Sequence, residues 1–399
     1  MSSSPSESAP IGVYVHYPYC LQKCPYCDFA SYATERGAAP QGAYADDVLG
    51  ELSLRGAGLD GRKLETVFFG GGTPSLWEPR ELGRALAGIA RRFEASLDEV
   101  EVTVECNPTS FDEDRARALI DVGVDRVSIG VQSLDARRLQ FLGRLHGPEG
   151  GLAAIEQAVR AGMPRVSGDL IYGVEGGSPQ KPEDAAREAG RVADCGATHV
   201  SAYALTVEPG TRFGELARRG QLPIADEDVM ADAFFAVEAA LAERGIARYE
   251  VSNHARPGDE SRHNLGYWRG WDYLGLGAAA VGTVTGPSGV AVRTKNTVQP
   301  HKWSAGVQKG TLAEESREEV GTEDRMRERI MLGLRLAEGL DLERCRVELG
   351  VDPLPPARCK TVEAMLADGR LERTGDGGRC LRVPQSRWFL ADGIAAALF

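Results

Sequence analysis

Six short β-rich runs alternate with segments of helical period after Ile11, and this alternation constrains the fold more than any other feature. The runs are IGVYVHY, TVFFGG, EVTVEC, RVSIGVQ, VSGDLIY and HVSAYAL, separated by stretches such as 43–54, 80–93 and 183–193. A helix between two strands returns the chain to the same end of the sheet, so repeated β–α units build parallel strands with right-handed crossovers. Near-continuous apolar runs fit strands covered on both faces. The expected class is α/β, wound as a closed or partial barrel or as an open doubly wound sheet. Glu105, Gln132 and Asp169 fall at or near strand ends, and a barrel gathers such ends around one mouth. Taken singly, each serves equally well as an ordinary loop polar group.

At 399 residues the chain has room for two or three domains of about 100–200 residues. Residues 1–10, rich in Ser and Pro, are expected to form a mobile tail. Residues 11–225 carry the β–α repeats. After about Asp226 the rhythm changes to a long amphipathic helix, then YEVSNHARPG and a Gly- and aromatic-rich stretch, so 226–320 is expected to be an appended α+β subdomain. From 321 to 399 helices surround a short strand pair near Cys380, an order that resembles a winged helix. Residues 323–399 hold 13 Arg plus Lys against 13 Asp plus Glu, which leaves no excess positive charge to attract phosphate. A structural or partner-binding role follows, and no nucleic-acid partner.

Hydrophobic residues make up 42% and charged residues 26%, ordinary values for a folded soluble protein, and the formal charge of −12 disfavours polyanion binding. No run approaches the roughly 18 apolar residues of a spanning helix, and the N-terminus lacks the pattern of a signal peptide. The expectation is a cytoplasmic protein that is not integral to a membrane. Eight cysteines are too sparse for a disulfide scaffold, yet three crowd into eight positions.

Those three, Cys20, Cys24 and Cys27, form C-x3-C-x2-C directly after the first β run. A structural zinc site needs four ligands, and His16 is available in sequence as the fourth. An iron–sulfur cube on three cysteines instead leaves one iron open to a small molecule. Gly70-Gly71-Gly72-Thr73-Pro74 ends the second run; missing Cβ atoms there let main-chain groups approach a ligand closely. It is neither a P-loop nor a dinucleotide fingerprint.

The cysteine loop, with Tyr26 before its last cysteine, and the GGGTP run resemble the radical S-adenosylmethionine superfamily. SIGVQ (128–132), LGRLHG (142–147) and DLIYG (169–173) resemble its branch of oxygen-independent coproporphyrinogen III oxidases and heme chaperones. The resemblance runs from Ile11 to about Trp268 and more loosely beyond. It implies a partial (β/α)6 barrel with a [4Fe–4S] cluster on Cys20, Cys24 and Cys27, whose open iron chelates S-adenosylmethionine for one-electron cleavage. It further implies that Tyr14 and Tyr26 flank the cluster and that Gly71, Gly72 and Thr73 line the methionyl amine. By the same resemblance Glu105, Gln132, Arg144 and Asp169 contact the carboxylate and ribose, and Ala204 lies near the adenine. Arg144 suits a carboxylate and Asp169 a pair of hydroxyls.

Within that branch the oxidases carry a further cysteine two positions after the third ligand, where this chain has Phe29, and a long N-terminal extension, where it has ten residues. His263-Asn264-Leu265-Gly266-Tyr267-Trp268 matches the HNxxYW motif associated with heme binding in the chaperones. Imidazole is a common axial ligand of heme iron, and Tyr and Trp offer flat faces to a porphyrin. On residue chemistry alone the same four side chains more often make a loop anchored by packing and hydrogen bonds. The remaining histidines, among them His146, His199 and His254, read as structural or exposed. The chain departs from the usual wording at GVEGGSPQ (173–180) and at His254.

The resemblance thus implies a heme chaperone that transfers heme to an acceptor protein, for which a membrane-bound respiratory enzyme would require peripheral contact. The alternatives are oxidative decarboxylation of coproporphyrinogen III and another radical modification of a tetrapyrrole. No side chain is assigned as a catalytic acid, base or nucleophile.

Overall fold

The computed structural model describes residues 9–56 and 58–399. Residues 1–8 of the expected N-terminal tail lie outside the described residues, and the first strand begins at Pro10.

All six β runs form strands, and they pair in chain order: β1 (Pro10–Tyr17), β2 (Lys63–Gly71), β3 (Glu101–Cys106), β4 (Arg126–Gln132), β5 (Arg165–Tyr172) and β6 (His199–Ala204). Every adjacent pair is parallel. The crossovers carry helices at Gln41–Leu54, Pro79–Arg92, Glu113–Asp121, Pro148–Arg160 and Pro182–Asp194. Their starts follow local chemistry: Asp112 Oδ1 accepts the Arg115 N–H at 2.8 Å, satisfying a backbone donor that the first turn leaves free.

The strands are not apolar on both faces, as the runs suggested. Ile11, Val13 and Val15 of β1, Val102 and Val104 of β3, and Val127, Ile129 and Val131 of β4 belong to one buried core. The intervening residues point the other way and are mostly polar: Glu101, Thr103 and Glu105; Arg126, Ser128 and Gln132; Ser167 and Asp169; His199, Ser201 and Tyr203. Successive strand side chains alternate between faces, so the outer face packs against helices and the inner face surrounds a cavity.

Segment 226–320 extends this same sheet at both edges. The strand Asn253–Ala255 (β8) adds antiparallel to β6, and Ala247–Arg248 (β7) adds antiparallel to β8. The strand Asp272–Leu276 (β9) pairs parallel with the free side of β1, followed by Val281–Thr285 (β10), Ala291–Asn296 (β11) and Glu314–Val320 (β12), each antiparallel to its neighbour. The result is a 12-stranded open sheet, a partial barrel whose first β–α units sit in its middle. Tyr44 Oη donates to the His16 carbonyl at 2.5 Å, tying the first crossover helix to β1.

The C-terminal part runs helix Thr322–Gly333, strand Leu340–Asp341, helices Leu342–Leu349 and Pro356–Ala367, then strands Glu372–Thr374 and Cys380–Arg382. That is a winged-helix order closed by its own 3-stranded sheet.

Candidate functional site

The cysteine loop leaves β1 and is pinched at its base. Tyr32 N–H donates to the Pro18 carbonyl at 2.8 Å and Thr34 N–H to the Cys20 carbonyl at 2.8 Å. Within it the Cys27 N–H turns back to the Cys24 carbonyl at 3.2 Å. All three cysteines line one cavity; the charge of Cys24 raises Cys20, and those of Cys24 and Cys20 raise Cys27. Burial is the larger effect: it raises the Cys20 thiol and pushes Cys27 up to about 11. Thr73 Oγ1 donates to Cys20 Sγ at 3.3 Å, and an Arg144 guanidinium nitrogen lies 3.7 Å from Cys24 Sγ.

His16 is not a fourth ligand. Its Nε2 bonds the Ala30 carbonyl at 2.9 Å and its Nδ1 faces Tyr14 Oη at 3.0 Å, so both ring nitrogens are engaged in holding the end of the loop. The three thiolates of this one loop, all facing the cavity, suit a cluster, since a cube takes each thiolate on a different iron.

The glycine run has a different cause from the one expected. A Cβ on Gly72 would lie 2.7 Å from the Tyr19 carbonyl and 2.8 Å from that of Tyr17, and one on Gly71, whose φ is +106°, would lie 2.4 Å from the His16 ring. The glycines let β2 press against the backbone of the cysteine loop, with Gly72 N–H donating to the Tyr17 carbonyl at 2.7 Å and Thr73 N–H to that of Tyr19 at 2.8 Å. Gly71, Gly72 and Thr73 still line the cavity.

The polar strand ends converge on the same cavity, of about 720 Å³. Gly71 N–H donates to Glu105 Oε2 at 2.9 Å. Burial, opposed by that bond and reinforced by the charge of Asp169, pushes the Glu105 carboxyl up to about 7. Asp169 is raised by burial as well, although Ser128 Oγ reaches its two oxygens at 2.8 and 3.0 Å. Gln132 sits at a bulge where β4 slips against β5, with φ of +67°, which aims its side chain back over Gly130. Arg144 donates to the Gly130 carbonyl at 2.8 Å, while its buried Nε has no partner. Tyr14, Tyr26 and Ala204 complete the expected set on the cavity wall.

The HNxxYW segment is the helix Arg262–Trp268, capped by Ser261 Oγ accepting from Asn264 N–H at 3.4 Å. His263, Asn264 and Tyr267 line the cavity. The buried His263 ring stacks on Phe68, its Nδ1 lies 2.7 Å from Thr66 Oγ1, and its Nε2 lies 3.2 Å from Tyr267 Oη. Trp268 is not among the lining residues. One turn beyond Asn264, it packs beneath the Arg335 guanidinium, 5.4 Å from the ring centre.

Inner-face residues that the run-by-run reading passed over also reach this cavity, including Thr103, Arg126, Ser167, His199 and Ser201. Their signal is the period of two in EVTVEC, RVSIGVQ, RVSGDLIY and HVSAYA, which places them on the face of Glu105 and Asp169.

The family model "Radical SAM superfamily" matches residues 14–189, and "HemN C-terminal domain" matches 322–382. The chain is 37% identical over 396 residues to "Heme chaperone HemW" of Mycobacterium tuberculosis (strain CDC 1551 / Oshkosh), covering 99% of this chain and 96% of that protein. The chain belongs to the HemW family. The HemW of Escherichia coli (strain K12) is 38% identical over 297 residues, 74% of this chain and 76% of its own. The solved oxygen-independent coproporphyrinogen III oxidase HemN of Escherichia coli shares the fold, with a TM-score of 0.78 at 20% identity over 98% of this chain and 90% of that one. Among the described residues no helix is long and apolar enough to cross a membrane.

Proposed function

We propose that this chain is a heme chaperone built on a radical S-adenosylmethionine scaffold, which binds heme and passes it to an acceptor protein in the cytoplasm. The observation that carries this is the sharing of one cavity by Cys20, Cys24 and Cys27 with His263, Asn264 and Tyr267. The cysteines hold a [4Fe–4S] cluster, and when bound, cluster and S-adenosylmethionine supply one-electron cleavage of the sulfonium.

The chain's own groups do the positioning. Arg144, with a buried unpartnered Nε, offers a bidentate fork to the methionyl carboxylate. Glu105, already bonded to Gly71 N–H, offers its carboxylate to an N–H of the methionyl amine, and Asp169 accepts from ribose hydroxyls. Thr66 holds the His263 Nδ1–H, which leaves the Nε2 lone pair toward Tyr267 and the cavity. Phe29, half exposed on the cavity wall, presents an apolar face where a thiol stands in the oxidases.

Anaerobically reconstituted protein should bind heme, and His263→Ala should weaken that binding; equal affinity in the variant removes His263 as the ligand. Conversion of coproporphyrinogen III to protoporphyrinogen IX by the reduced protein would overturn the chaperone in favour of an oxidase.

A further inference from the structure

A hydrogen-bond chain with a single direction links the nucleotide side of the cavity to the helix that carries His263. Ser261 N–H, at the N-cap of helix Arg262–Trp268, donates to Tyr249 Oη at 3.2 Å. Tyr249 Oη lies 2.8 Å from His199 Nε2, His199 Nδ1 lies 2.7 Å from Ser167 Oγ, and Ser167 Oγ donates to Asp169 Oδ1 at 3.4 Å. Taking Ser167 to donate to Asp169 orients the rest: Ser167 accepts from His199 Nδ1–H, and His199 Nε2 accepts from the Tyr249 hydroxyl, the tautomer assigned here. The hydroxyl oxygen is then free to accept from Ser261. Ser167, His199 and Ser261 are all buried, at 1%, 2% and 3% exposure, and all three line the cavity wall.

Such an arrangement does more than satisfy a buried histidine. A structural His needs one partner per nitrogen from any element; here the partners form one path between a carboxylate facing the cavity and the first turn of the motif helix. A second contact grips the same turn, since His263 N–H donates to Glu101 Oε1 at 3.0 Å. Glu101 leads to Arg126 and not to Asp169.

We propose that His199 and Tyr249 are positioning residues that couple occupancy of Asp169 by a ribose to the order of the helix Arg262–Trp268. This rests on the assignment of S-adenosylmethionine to the cavity. When ribose hydroxyls draw on Asp169, the pull of its oxygen on Ser167 changes, and the chain passes that change to the Ser261 N–H because each hydroxyl and the imidazole donate and accept at once. Coupling of this kind is reciprocal, so heme on the helix would alter affinity for the nucleotide by the same factor.

The test uses the anaerobically reconstituted full chain with S-adenosylmethionine as the probe, and reads amide hydrogen exchange across residues 261–268. Exchange should slow at least threefold when the nucleotide binds the wild type. In Tyr249→Phe the nucleotide should bind within about threefold of its normal affinity while the helix no longer responds, and in Ser167→Ala the helix should likewise fail to respond at saturating nucleotide. A helix that responds equally in both variants overturns the coupling, as does a wild-type helix that ignores the bound nucleotide or a chain that binds none. Thermal unfolding of each variant separates loss of coupling from loss of fold, and Ser167→Thr, which keeps the hydroxyl, should restore the response. Heme titration is read independently: a chain whose helix responds to the nucleotide but never takes heme refutes the chaperone and leaves the coupling standing.

Discussion

The Nε2 of His263 and the hydroxyl of Tyr267 lie 3.2 Å apart, one helical turn from each other on the cavity wall. Any heme iron that takes this nitrogen must first displace the hydroxyl. A typical net hydrogen bond contributes about 0.5–1.5 kcal/mol. Tyr267→Phe should therefore tighten heme binding by roughly 2- to 12-fold in an absorbance titration, at about 1.4 kcal/mol per factor of ten. Weaker binding would mean that Tyr267 itself holds the porphyrin.

Glu101 and Arg126 form a buried ion pair at 3.0 Å, with side-chain exposures of 1% and 2%. Removing one partner strands the other charge, typically at about 3–5 kcal/mol. Glu101→Ala should lose stability of that order in chemical denaturation and also free the His263 N–H. Glu101→Gln, which keeps an acceptor, should lose less.

Burial depresses five histidines from their ordinary value near 6.5: His16 and His199, together with His146 and His263 to about 4 and His254 to about 3. Below pH 6.5 the unfolded chain takes up protons that the fold refuses, so stability falls with pH until the folded-state values are reached. The melting temperature should drop steadily from pH 6.5 to pH 4. His254→Phe, which fills the position of a ring with both nitrogens unpartnered, should flatten part of that slope.

Glu105, raised by burial to about 7, must ionise to accept from the methionyl amine N–H. S-adenosylmethionine should bind more tightly at pH 8 than at pH 6, as titrations at the two values would register. In Glu105→Gln that dependence should shrink and affinity should fall about tenfold, the scale of one charge-assisted hydrogen bond. A variant with undiminished pH dependence would move the amine contact elsewhere.

Gly72→Ala places a methyl group against two carbonyls of the cysteine loop. Iron content after reconstitution should drop well below that of the wild type, whereas Gly147→Ala, with open space around it, should leave it unchanged.

The parallel strands and the cysteine loop were legible because each depends on local pattern: apolar runs at β–α spacing, and thiols close together in the chain. The inner-face residues were less so. Arg126 and His199 look like ordinary strand-start polar groups until the alternation of β4 and β6 turns them toward Glu105 and Asp169. The glycine run was found, but its steric cause was invisible, because Tyr17 and Tyr19 meet Gly72 only after β1 and β2 pair. Nor could 272–276 be placed at the open side of β1, since a parallel pairing between distant segments leaves no mark in either one.

That long-range pairing carries a consequence for biogenesis. While the polypeptide is still emerging from the ribosome, β1 can gain β2 on one side but has nothing on the other until 272–276 is exposed. An unpaired strand edge invites pairing with foreign chains, and this one leads straight into three thiols. Loading of iron and sulfide before 272–276 has paired with β1 would therefore act on an unsupported loop, which places maturation after that pairing.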